Sequence, residues 1–243
     1  MAGGALETHD LTLTSADGTP FAAFAVRAPS PSGAGIVIYP DVRGLFRFYE
    51  ELAMRFAEAG HDAIAFDYYG RTAGAAKRDA DFDYMPHNQK TTNATVAADA
   101  AAAAAYLRSP DGGAVRSLFT VGFCFGGRNS LLAAAERSGV HPAGVIAFYG
   151  QLAARGDQPG PIDLVGELRA PILGLYGGQD PSIPRELLDR FDGALAASGG
   201  EHEIHVYDRA THSFFDRRAA EFATEADDAW HRATAFVASH TAR

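Results

Sequence analysis

One cysteine stands among 243 residues, and its neighbours decide what it could do. Cys124 lies in Gly122-Phe123-Cys124-Phe125-Gly126, with Gly127 following. This is a G-x-nucleophile-x-G pattern with cysteine in the serine position. A nucleophile held on a sharp strand-to-helix turn has a strained backbone, and side chains two positions to either side would collide. Glycine removes them. The helix opening after the turn would aim its free N–H groups at sulfur and favour thiolate, with the Phe125 amide as a candidate oxyanion donor. A lone cysteine is ordinarily a small buried hydrophobe. Three glycines between an apolar run and a helix argue against that fate here, and they leave a catalytically silent thiol sensor or binding module as the alternative.

A thiol nucleophile needs a base, and the base needs an orienting acid. Gly177-Gly178-Gln179-Asp180-Pro181 follows the apolar run Ile172–Tyr176, and Asp208-Arg209-Ala210-Thr211-His212 follows His202–Tyr207. Asp180 and His212 thus stand just past expected strand ends, in the chain order nucleophile, acid, histidine. His212 would move the proton and Asp180 would fix its tautomer. The chain holds nine histidines, so position rather than presence carries this choice. Asp208 is the rival acid, but it lies too near His212 in sequence to look like its partner.

The elements that must position these groups follow from hydrophobic period and turn residues. A hairpin is expected over Leu11–Thr14 and Phe21–Val26 around Ala16-Asp17-Gly18. Strands are expected at Gly35–Tyr39, Ala63–Phe66, Leu118–Val121, Val145–Tyr149, Ile172–Tyr176 and His202–Tyr207. Helices are expected at Phe48–Ala59, Thr92–Leu107, Gly126–Glu136, Arg185–Ala197 and Ala219–Ser239. Strand and helix alternate, which predicts one α/β domain over 1–243 with a mainly parallel sheet and helices on both faces. Ligands in such sheets sit at the carboxyl ends of the strands, where the three residues fall. The long segments Gly70–Lys90 and Gln151–Gly166 are candidates for loops that shape a pocket.

A formal net charge of −9 argues against nucleic acid or an anionic membrane as partner. No Cys/His spacing suggests a metal site, and no basic start with an apolar run suggests a signal peptide. The expectation is a cytoplasmic hydrolase, needing no cofactor or metal, acting on a small molecule as a monomer or small homo-oligomer.

Read together, the motifs resemble the dienelactone hydrolase family of α/β-hydrolases. The resemblance rests on Val37-Ile-Tyr-Pro-Asp41-Val-Arg-Gly44, Phe66-Asp67-Tyr-Tyr-Gly-Arg71, Gly122–Gly127, Phe148-Tyr149-Gly150, Gly177–Asp180 and His212-Ser-Phe214. It implies an α/β-hydrolase fold and cleavage of small esters or enol-lactones through a covalent acyl-enzyme. It also implies an acid beside the thiol at Asp41 and a second oxyanion donor at the Val42 amide. Asp41 is one methylene shorter than the family's glutamate.

The resemblance further implies an arginine four residues after the histidine, to hold a substrate carboxylate. This chain has Asp216 there, which would repel an anion. Arg43 and Arg71, each just past a strand end, are the leading replacements, with Arg78 and Lys90 behind them. Tyr149 and Phe214 are candidates for lining the substrate pocket, as are Phe46, Tyr84, Met85, Phe123 and Phe215.

Overall fold

In the computed structural model, which describes residues 5–242, eight strands make one sheet in the order β1-β2-β4-β3-β5-β6-β7-β8. The strands are β1 (Glu7–Thr14), β2 (Pro20–Arg27), β3 (Ala34–Tyr39), β4 (Asp62–Phe66), β5 (Ser117–Phe123), β6 (Gly144–Phe148), β7 (Ile172–Gly177) and β8 (His202–Tyr207). β1 pairs antiparallel with β2 and β2 with β4, while β4 through β8 are parallel. Every residue of β3, β4, β5, β6 and β7 is buried, which explains their unbroken apolar runs.

The helices are α1 (Arg47–Glu58), α2 (Gly70–Ala73), α3 (Met85–Asn88), α4 (Asn93–Arg108), α5 (Phe125–Ala133), α6 (Arg185–Ser198) and α7 (Ala223–His240). In α1 the buried residues Tyr49, Leu52, Ala53, Phe56 and Ala57 fall at helical spacing and lie against the sheet face presented by Ile36 and Ile38. α7 covers the same face, where Phe236 meets Phe119 edge-on. α4 packs on the other face against Val37 and Ile64, its start fixed by a reciprocal Thr92–Thr95 cap. α5 shares that face through the Thr120–Ser130 hydroxyl pair at 2.8 Å. No described helix is long and apolar enough to cross a membrane.

Four expectations shift. β1 begins at Glu7 rather than Leu11 and pairs along its whole length with β2. α5 ends at Ala133, because Ala135 leaves helical geometry to bridge Leu168. α7 begins at Ala223, because 216–222 forms turns in which the Arg218 amide returns to the Ser213 carbonyl. The long segments carry α2, α3 and a 3₁₀ turn at Pro161–Glu167. β3, β5, β6, β7 and β8, running parallel, deliver residues 40–44, Cys124, Tyr149, Asp180 and His212 to one edge of the sheet.

Candidate active site

Cys124 adopts φ +54° and ψ −111°, a conformation that an L-residue holds only under constraint. The constraint is close backbone packing. A Cβ on Gly126 would lie 2.1 Å from the Tyr39 carbonyl oxygen and 2.2 Å from that of Pro40, at the end of β3. A Cβ on Gly127 would lie 2.7 Å from the Phe148 oxygen, and one on Gly122 would lie 2.1 Å from the Gly126 oxygen. The Cys124 amide also donates to the Phe148 carbonyl at 3.0 Å. The glycines of the motif thus clamp the turn between β3 and β6.

His212 Nδ1 lies 2.6 Å from Asp180 Oδ2. Burial opposes charge on the imidazole, but bonding to Asp180 and the adjoining Cys124 thiol outweighs it and pushes the His212 pKa up to about 10. Burial likewise acts to raise the Asp180 carboxyl, and donors from His212 and then Ser182 hold it below the usual carboxylate value. Ser182 is a member that sequence reasoning missed. Its hydroxyl donates to Asp180 Oδ1 at 2.6 Å and its amide at 2.9 Å, fixing the carboxylate that His212 bonds. The legible signal was Asp-Pro-Ser, an aspartate with a donor two residues on.

Residues 40–44 lie across β3 from the elbow and are held by three tyrosines. The Tyr68 hydroxyl donates to the Pro40 carbonyl at 2.7 Å and Tyr69 to the Val42 carbonyl at 2.5 Å, while the Asp41 amide donates to Tyr49 at 2.8 Å. Gly44, at φ +76°, packs where a Cβ would lie 2.4 Å from Asp67. Among the described residues neither the Val42 nor the Phe125 amide donates to another backbone group.

Asp41 is buried and its carboxylate is bound by Arg43, with Nε at 3.0 and 2.8 Å from the two oxygens. Arg43 also reaches Asp216 Oδ2 at 3.0 Å and lies over the Phe46 ring at 4.0 Å, so it is already doubly paired and is not a free clamp for a substrate anion. Asp216 is buried. Burial raises its pKa, Asp41 adds to this, and the Arg217 amide and Arg43 oppose it.

Two further candidates move away from the site. The Arg71 guanidinium is committed to Asp17, Ser15 and Asp99, which ties α2 to the β1–β2 turn and α4. Phe214 is fully buried against Phe148, Tyr149 and Tyr207, so it packs the core rather than lining a pocket. Arg78 is likewise a structural cation, paired with buried Asp67 at 2.8 Å. Tyr149 stays with the site. Its ring lies 4.9 Å from that of His212, its backbone holds φ +40°, and its buried hydroxyl has no hydrogen-bond partner among the described residues.

The chain matches the model of the "Dienelactone hydrolase family" over residues 21–241. It is 36% identical over 205 residues to an Escherichia coli (strain K12) protein named "Putative carboxymethylenebutenolidase", covering 81% of this chain and 73% of that protein. Identity to the carboxymethylenebutenolidase of Rhodococcus opacus is 29% over 221 residues, covering 87% and 84%. The crystal structure titled "Putative Dienelactone Hydrolase" from Klebsiella pneumoniae superposes with a TM-score of 0.84 at 30% identity, covering 97% of this chain and 99% of that one. An elbow cysteine, a carboxylate-bound histidine and a match spanning nearly the whole sequence agree: this chain belongs to the dienelactone hydrolase family.

Proposed function

We propose that the protein hydrolyses small, uncharged esters or lactones through a Cys124–His212–Asp180 triad and a covalent acyl-enzyme. The observation that carries this reading is the His212–Asp180 bond at 2.6 Å, on a ring that adjoins the strained elbow thiol. In the first half-reaction His212 takes the thiol proton as the Cys124 sulfur attacks the carbonyl carbon, and the carbonyl oxygen gathers negative charge against the Phe125 and Val42 amides. The tetrahedral species collapses as the carbon–oxygen bond breaks, and protonated His212 gives its proton to the departing alkoxide. In the second half-reaction neutral His212 takes a proton from water, the hydroxide attacks the thioester, and the carbon–sulfur bond breaks as His212 returns the proton to sulfur, releasing the carboxylic acid.

The uncharged substrate class follows from the Arg43 cluster. Two buried carboxylates share one guanidinium, so an incoming carboxylate would meet a cation already satisfied by Asp41 and Asp216. The Tyr149 hydroxyl, buried and unpartnered on a ring 4.9 Å from that of His212, is the group we assign to donate to the substrate.

Steady-state kinetics on p-nitrophenyl acetate beside Cys124→Ala tests the chemistry. Full activity in the variant would overturn it, as would binding of the ester without turnover by the native enzyme. A lactone measured with and without an appended carboxylate tests the substrate class. The neutral form should have the higher kcat/KM by tenfold or more. A carboxylate form tenfold better would show that Arg43 is released to the ligand.

A further inference from the structure

A cavity of about 380 Å³ lies on the α4–α5 side of the sheet, away from Cys124 and His212, neither of which lines it. Its walls include Val96 and Ala97 of α4, Leu132 and Ala133 of α5, and Leu164 of the 3₁₀ turn. Tyr39, the last residue of β3, also lines it. That side chain is 1% exposed, and its hydroxyl has no hydrogen-bond partner among the described residues. A buried hydroxyl without a partner has already lost its water, so an acceptor brought to it gains nearly the full hydrogen bond.

We propose that this cavity is a second small-molecule site, taking a neutral compound with an apolar body and one hydrogen-bond acceptor seated on Tyr39. The polar wall residues Asn93, Asn129, Ser138 and Gln158 already donate to protein carbonyls, which leaves the apolar wall residues to select the body. Asp157, a further wall residue, disfavours an anionic ligand. Arg137, at the cavity wall, is already paired with Glu167 at 3.1 Å and supplies no free cation. The site backs on the elbow from below. The Tyr39 carbonyl meets Gly126, and the Asn129 amide, another wall group, donates to the Phe125 carbonyl at 2.8 Å.

Benzophenone and diphenylmethane form a matched pair of probes, alike in shape and differing by one carbonyl. Calorimetric titration of the native protein should show benzophenone bound about tenfold more tightly, the worth of one hydrogen bond to a desolvated donor. Tyr39→Phe keeps the ring against Phe66 and should erase the difference between the probes while leaving esterase activity unchanged. Ala97→Phe should abolish binding of both, and Leu132→Phe serves the same purpose if the first variant melts early. Irradiated benzophenone should attach to peptides holding Thr92–Ala97 or Asn129–Ser138, and prior alkylation of Cys124 should leave its affinity unchanged. Equal affinity for the two probes would overturn the proposal. So would labelling confined to the Cys124 peptide, or binding lost on alkylation.

Discussion

Two polar clusters sit at the same edge of the sheet, and they are built oppositely. Along Cys124–His212–Asp180 the groups form an open line, with His212 bonded to Asp180 at 2.6 Å, its charge favoured by the Cys124 sulfur, and that sulfur on a part-exposed residue. Around Arg43 the groups close on themselves, with two buried carboxylates sharing one cation. Each shifts one group upward, His212 in the first and Asp216 in the second. An open chain passes a proton, whereas a closed cluster holds a loop and sets a field. The difference lies in how many partners each group already has, not in its residue type.

The comparison can be broken most directly at the open chain. Cys124→Ala and His212→Ala should each lower kcat by about a thousandfold or more, and the double variant should lose little beyond the worse single one, because the residues act as a unit. Folding stability, read by denaturant titration, should change far less. Additive losses would show that one of the two stands outside the unit.

The closed cluster should respond the other way round. Arg43→Met strands Asp41 and Asp216 without a cation and should cost about 2–3 kcal/mol of stability, the lower end for a broken buried pair because the arginine is partly exposed. The added substitutions Asp41→Asn and Asp216→Asn should restore most of that loss. A variant as stable as the native protein would mean that the cluster is no more than a surface contact.

Tyr149 stands between the two clusters. Tyr149→Phe should lower kcat/KM about tenfold while leaving stability level or slightly raised, since an unpartnered buried hydroxyl gives the fold nothing. Unchanged kinetics would return Tyr149 to the core.

The smallest effect is a pH dependence. The His212 pKa is raised in the fold to about 10 from an ordinary 6.5, so folding favours the protonated ring. That stabilisation is complete below pH ~6.5 and drains away as pH rises through about 10. The melting-temperature gap between the native protein and His212→Gln should therefore be widest near pH 6 and should narrow by a few degrees toward pH 10. A gap that widens with pH would reverse the sign and show the ring buried neutral.

The sequence by itself determined the order of strands and helices, the elbow and the match of motifs to family, because these depend on local period and on which positions must be glycine. Gly126 is legible as a necessity since any Cβ there would strike the β3 carbonyls. What the tertiary structure decided was partnership. Arg43 and Arg71 read alike in sequence, each just past a strand, yet one bridges Asp41 to an aspartate 173 residues away and the other is tied to the β1–β2 turn and α4. Phe214 and Tyr149 likewise read alike as aromatic residues near strand ends. Packing buried the first against Tyr207 and left the hydroxyl of the second without a partner, on a ring 4.9 Å from that of His212. Charge and aromaticity are written in the chain. Whether a group is already satisfied depends on neighbours far off in sequence, and only the folded sheet brings them together.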